Sequence, residues 1–192
     1  MRSYKIISPP FTQRFRDLKK SELKAYYDWY LSIIPERIKV LAEAVKSTAG
    51  YERWKPDFSP NSLDLLEKWF AKNIETRRYT KEEKENIYAH APSWFKQVDI
   101  NEKTLTARTL SIAFDMGMYV SQVFLRNHPT LKWSHELGRK DHIDYGHPVI
   151  AGFRKGLCFN PTHILQVHAY GLIRNQKKRT MKALYDVWIE DI

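Results

Sequence analysis

The stretch from Glu102 to Asn127, EKTLTARTLSIAFDMGMYVSQVFLRN, constrains this chain more than any other. Read as one helix it makes about seven turns. Leu105, Ile112, Met116, Val120, Val123 and Phe124 recur at helical three-and-four spacing, and Phe114 and Met118 widen the apolar surface around Met116. A helix apolar over so much of its circumference has to be enclosed, so the remaining elements are expected to pack around it. Ala113, Gly117 and Ser121 stand four apart, and a row of small side chains lets another backbone approach closely. Beside that row run Arg108, Asp115, Tyr119, Gln122 and Arg126, a polar strip on the same helix. A carboxylate set among Phe114, Met116 and Met118 must reach water or find a partner.

The flanking segments are also mainly helical. Residues 1 to 20 hold Pro9-Pro10 and read as an irregular arm with at most a short strand at Tyr4 to Ile7. Ser21 opens a helical stripe of Leu23, Tyr26, Tyr27, Tyr30, Leu31 and Ile34, and Pro35 predicts a kink or a second helix up to Thr48. Leu63, Leu65, Leu66, Trp69, Phe70 and Ile74 predict a third helix after Ser59-Pro60 that ends near Arg77-Arg78, and Thr80 with Glu83 is a capping box that opens a short one containing Ile87. A loop through Trp94 and Phe95 then leads to the central helix.

After Asn127 the pattern changes. Leu131 to Glu136 alternates, with Leu131, Trp133 and His135 on one side, and pairs with Pro148 to Phe153 as a small antiparallel hairpin across a turn at Gly138 to Asp141. Asn160-Pro161 caps a helix with Ile164, Leu165, Val167, His168 and Leu172, and Thr180 to Ile189 forms the last. The expected fold is α+β, mainly α: six or seven helices around the helix at about 102–127, with one β-hairpin. A single domain over 1–192 is expected, with an arm at 1–20, a helical part at 21–127, and the hairpin plus C-terminal helices at 128–192.

At 192 residues the chain can bury a full core without a staple, and its one cysteine, Cys158, has no internal disulfide partner. No apolar run of membrane length and no cleavable signal pattern is present, so the expectation is a cytoplasmic protein with no membrane contact. Lys and Arg outnumber Asp and Glu by 32 to 22, which favours acidic partners. Cations cluster at Arg14, Arg16, Lys19, Lys20 and Lys24, at Arg77-Arg78, and at Arg174, Lys177, Lys178, Arg179 and Lys182. Aromatic residues interleave the first cluster, a mixture able to bind nucleic acid through phosphate contacts and stacking. No helix-turn-helix, zinc-finger or RNA-binding-sheet signature accompanies it, so a solvated charged face is the stronger reading.

Six of the seven histidines lie between His128 and His168, but their spacing suits no metal: His163 and His168 are five apart, and neither an HExxH helix nor a CxxC pair occurs. Cys158 lacks an activating context and reads as a small buried hydrophobe rather than a nucleophile. No metal or other cofactor is expected.

The segments DMGMYVSQVFLRNHPTLKW and DYGHPVIAGF, followed by FNP before a helix, resemble a pattern in uncharacterised small cytoplasmic proteins of Gram-positive bacteria. Asp115, Tyr119, Asn127, Trp133, Asp144, Tyr145, Pro148, Gly152, Phe153, Asn160 and Pro161 carry the resemblance, over about the last two-fifths of the chain. Some such proteins look like immunity partners of secreted toxins, which implies a binding role and brings no catalytic residues with it.

Three function classes follow. A non-enzymatic binding protein with an acidic protein partner leads, an immunity-type partner of a bacterial toxin being one form of it; its basic charge suits an acidic toxin better than a nuclease with a basic cleft. A nucleic-acid-binding protein is the alternative. A hydrolase or transferase using Asp115, Tyr119 and a hairpin histidine is the third. Should the hairpin fold back along the central helix, Asp115, Tyr119, Gln122, Arg126, Trp133, His135, Asp144, Tyr145 and His147 would form either a structural network, the favoured reading, or the lining of a cleft. Oligomeric state stays open.

Overall fold

The computed structural model describes residues 4–11, 13–91, 102–174 and 180–192. The loop through Trp94 and Phe95, and Lys177, Lys178 and Arg179 of the C-terminal basic cluster, lie outside them. Among the described residues there are six α-helices and two small two-stranded antiparallel sheets, a mainly α arrangement of the α+β class.

Helix α1 (Lys20–Lys46) runs through Pro35 without breaking into two. Pro35 is exposed, while Ile34, Arg37, Ile38 and Leu41 around it are buried, so packing on the inner side holds the axis through the missing donor. Its N-terminus sits before Ser21: Lys19 is the cap residue, and the Glu22 carboxylate accepts the Lys19 N–H at 2.7 Å. Helix α2 (Ser62–Asn73) follows a turn in which Ser62 N–H donates to Ser59 Oγ at 3.3 Å, and it stops short of the expected end near Arg77-Arg78 because Ile74 turns extended and Thr76–Arg78 pairs as a strand. In α3 (Lys81–His90) both bonds of the expected capping box are present, Glu83 N–H to Thr80 Oγ1 at 3.1 Å and Thr80 N–H to Glu83 Oε2 at 2.9 Å.

The central helix is shorter than its sequence pattern. Residues Lys103–Leu105 form strand β2, which pairs with β1 (Thr76–Arg78) in the register Thr76↔Leu105, and α4 runs Ala107–Asn127 behind a Thr106 cap. Leu105 thus enters the core from a strand. Thr109 Oγ1 accepts from Glu75 N–H at 2.8 Å and donates to Glu75 O at 3.1 Å, tying the start of α4 to the end of α2. Every residue from Ser111 to Ser121 of α4 is buried.

The hairpin is β3 (Lys132–His135) with β4 (Pro148–Ala151), registered Trp133↔Ile150 and His135↔Pro148. Ile150 also bridges to Phe159, which adds a third extended segment. Helix α5 (Pro161–Ile173) starts at Asn160, whose side chain accepts from His163 N–H at 3.0 Å, and α6 (Met181–Ile189) starts at Thr180. The small-residue row on α4 is the crossing point for α5: a Cβ on Gly117 would lie 2.8 Å from the Pro161 carbonyl oxygen. One contiguous core joins α1, α2, α4, the hairpin, α5 and α6, and a satellite core of Leu18, Leu23 and Tyr145 sits under the N-terminal segment. Among the described residues no helix is long and apolar enough to cross a membrane.

Candidate functional site

Asp115 lies inside the protein, with none of its surface exposed. Arg37 of α1 meets it with a two-pronged contact, Nε to Oδ1 and Nη2 to Oδ2, each 2.7 Å. The Tyr4 hydroxyl donates to Oδ2, and the same Arg37 Nη2 donates to the Lys5 carbonyl at 2.8 Å. One helix turn back along α4, Ser111 Oγ accepts from Ile7 N–H at 3.1 Å. The N-terminal segment is thereby fastened across α1 and α4. Burial pushes the Asp115 carboxyl up to about 6, against the opposing pull of Arg37 and Tyr4. Burial alone would lower the Arg37 guanidinium, but the hydrogen bonds and charge of Asp115 hold it above its usual value. Both groups are charged at neutral pH, and each carboxylate oxygen is bonded to protein.

Tyr119, one turn further on, belongs to another network. Its hydroxyl meets Ser62 Oγ at 2.6 Å and accepts from Phe58 N–H at 3.1 Å, while its ring packs against Trp54 and Phe58. Gln122 is half-buried, and the exposed Arg126 places its guanidinium 3.6 Å from the Phe58 ring centre. The polar strip of α4 therefore divides: Asp115 faces the N-terminal segment, and Tyr119 and Arg126 face the loop before α2.

The hairpin residues divide as well. Trp133 packs edge-on against Tyr30, and His135 stacks on Tyr27 at 4.9 Å with 15° between the planes. Asp144 accepts from Asn160 Nδ2 at 2.7 Å, Tyr145 is buried in the satellite core, and His147 stacks on Phe15 at 4.1 Å. The nine residues do not line one cleft. Asp115, Tyr119 and a hairpin histidine, the set a hydrolase or transferase would need, sit in three separate environments.

Two concave regions flank the hairpin. The first, about 580 Å³, is lined by Lys20, Lys24, Tyr27, Asp28, Trp133 and His135 among others. The second, about 420 Å³, lies between the N-terminal segment, the end of α3 and the β3–β4 loop. A larger hollow of about 760 Å³ runs over Tyr4, Val40, Thr48 and Trp69 with both acidic and basic residues on its rim.

Sequence reasoning missed Arg37 and Tyr4 as the partners of Asp115. Arg37 left a readable signal, a cation in the buried stripe Ile34, Ile38, Leu41; Tyr4 left none. Also unforeseen was Glu67, which meets His168 Nε2 at 2.9 Å and accepts the Met181 N–H at the start of α6 at 2.8 Å. Cys158 is half-buried, and burial pushes its thiol up, away from the thiolate. Among the described residues no group of three His, Cys, Asp or Glu side chains is placed to hold a metal ion. No protein-family model, curated protein or solved structure matches the chain.

Proposed function

We propose that this is a non-enzymatic binding protein of the cytoplasm whose working surface is the basic, aromatic groove between the start of α1 and the hairpin, and whose partner is an acidic protein. The supporting observation is the groove itself, where Lys20 and Lys24, the latter paired with Asp28 at 2.6 Å, flank the stacked Tyr27 and His135 rings beside Trp133 and leave the lining with a net positive charge. Aromatic rings offer large contact area at small entropic cost, and flanking cations select the sign of the partner. The sealed Asp115 and the separate Tyr119 speak against a catalytic role for the α4 strip. An immunity-type protein that neutralises an acidic toxin is one form of this function.

The test is co-expression with the product of the adjacent gene, using the wild type and a Lys20→Glu, Lys24→Glu double variant. Co-elution of the wild type and its loss in the variant is expected. A variant that co-elutes as well as the wild type would refute the groove.

A second reading, single-stranded nucleic acid, is favoured by the flat Tyr27–His135 pair next to lysines, since bases stack on such rings without sequence preference. It requires anisotropy of a labelled oligonucleotide to show binding at low salt that weakens steeply as salt rises.

A further inference from the structure

We propose that the second hollow, between the N-terminal segment, the end of α3 and the β3–β4 loop, is a binding site for a phosphoryl group, as borne by a small phosphate ester or a diphosphate. Arg14, Arg16, Lys140, His90, His142 and His147 line its wall, and no carboxylate is among the lining residues. Three of these carry permanent charge. Among the described residues no hydrogen bond or ion pair occupies the Arg14 or Arg16 guanidinium or the Lys140 ammonium, although Arg16 is near enough to Asp141 to act on it through space. The three carboxylates of the loop are engaged elsewhere: Glu136 accepts from Gly138 N–H at 2.8 Å, Asp141 is held by Arg139 at 3.1 and 2.5 Å, and Asp144 by Asn160 at 2.7 Å.

One imidazole supplies a donor as well. His142 Nδ1 accepts from Asp144 N–H at 3.2 Å, so its proton is on Nε2, which is a donor even when the ring is neutral. His90 Nδ1 faces the Asn86 carbonyl at 2.9 Å and has to donate to it, which fixes the ring at the rim of the hollow. Planar guanidiniums match phosphate oxygens in pairs, and a phosphate dianion uses several such donors where a carboxylate uses few.

The frame behind these groups is rigid. Phe15 stacks on His147 and meets Tyr26 edge-on at 4.7 Å, and Tyr145 is locked in the satellite core. Gly146, at φ +80°, lets Leu23 and Phe15 approach where a Cβ would be only 2.6 and 2.9 Å away. Phe15, Ile143 and Tyr145 give the hollow an apolar part, and its volume of about 420 Å³ falls in the range of small-molecule sites. This site shares no lining residue with the partner groove, so either can fail without the other.

The experiment is calorimetric titration of the full chain with inorganic pyrophosphate and phenyl phosphate at physiological ionic strength. Variants are Arg16→Gln, Lys140→Gln and, outside the hollow, Lys24→Gln. Saturable binding is expected, weakened about tenfold or more by Arg16→Gln and by Lys140→Gln and unchanged by Lys24→Gln. Each variant is first checked for the wild-type melting temperature; these exposed positions are expected to retain it. A decamer with and without a 5′-phosphate distinguishes the source: pyrophosphate binding at least as tightly as the phosphorylated decamer assigns the site to a free small molecule, and the reverse order, lost without the 5′-phosphate, assigns it to a strand end. Lack of saturable binding to any probe, or equal weakening by Lys24→Gln, would overturn the proposal.

Discussion

Asp115 shows how a single polar residue can organise a fold. A buried carboxylate is tolerable only when its charge and lone pairs are matched, and Arg37 and Tyr4 match them from two other segments. Asp115→Ala leaves the Arg37 guanidinium buried without its counter-charge, and urea unfolding should register a loss of about 3–5 kcal/mol. Replacing both partners by apolar residues of similar volume, Arg37→Met with Asp115→Leu, should recover most of that loss, because no charge is then stranded. An Asp115→Ala protein as stable as the wild type would mean that the network does not hold the N-terminal segment down.

At the scale of elements, the α4–α5 crossing depends on one missing side chain. Gly117 faces the Pro161 carbonyl, a backbone atom that cannot swing aside, so a methyl group there must push α5 away. Gly117→Ala is expected to destabilise by about 1–3 kcal/mol, as overpacking typically does, despite alanine's better helix propensity. A Gly117→Ala protein with an unchanged or raised melting temperature would show that the crossing has slack. Capping at Thr80, Asn160 and Thr180 follows local chemistry, which is why those three helix starts were legible from sequence. The strand pair β1–β2 was not. Each strand has three residues, β1 is exposed throughout, and their pairing joins segments on either side of α3, so neither alternation nor a turn signal announces it.

For the whole molecule, stability against pH reflects how the hairpin and the chain leading into it are seated. His128 lies against Tyr185 of α6, His135 on Tyr27 of α1 and His147 on Phe15, and burial is the leading reason each is held below its usual value. The folded state then binds fewer protons than the unfolded chain, so their contribution is present above the unfolded histidine value of about 6.5 and is lost as pH falls through the lower folded values. Asp115 acts oppositely: its raised value means its contribution is full below the unfolded carboxylate range and declines as pH rises through about 6. Comparison with variants separates the two. Between neutral pH and about pH 5, the melting temperature of the wild type should fall further than that of a His128→Asn, His135→Asn, His147→Asn variant; parallel curves would remove the histidines from the account.

The amino-acid sequence by itself determined the helices, the enclosed central one among them, the hairpin and the small-residue crossing, though not the β1–β2 pair, because periodicity, caps and turn residues act over a few positions. Only the tertiary structure decided which partners the polar residues found. Asp115 and Tyr119 share a helix face one turn apart, yet they serve different networks, because the segments that meet them, Tyr4 with Arg37 and Phe58 with Ser62, come from distant parts of the chain. Likewise Arg14, His90 and Lys140 belong to three segments, and their gathering around one hollow depends on how the N-terminal segment, α3 and the hairpin loop pack. Side-chain chemistry is local, whereas the company a charge keeps is set by the fold.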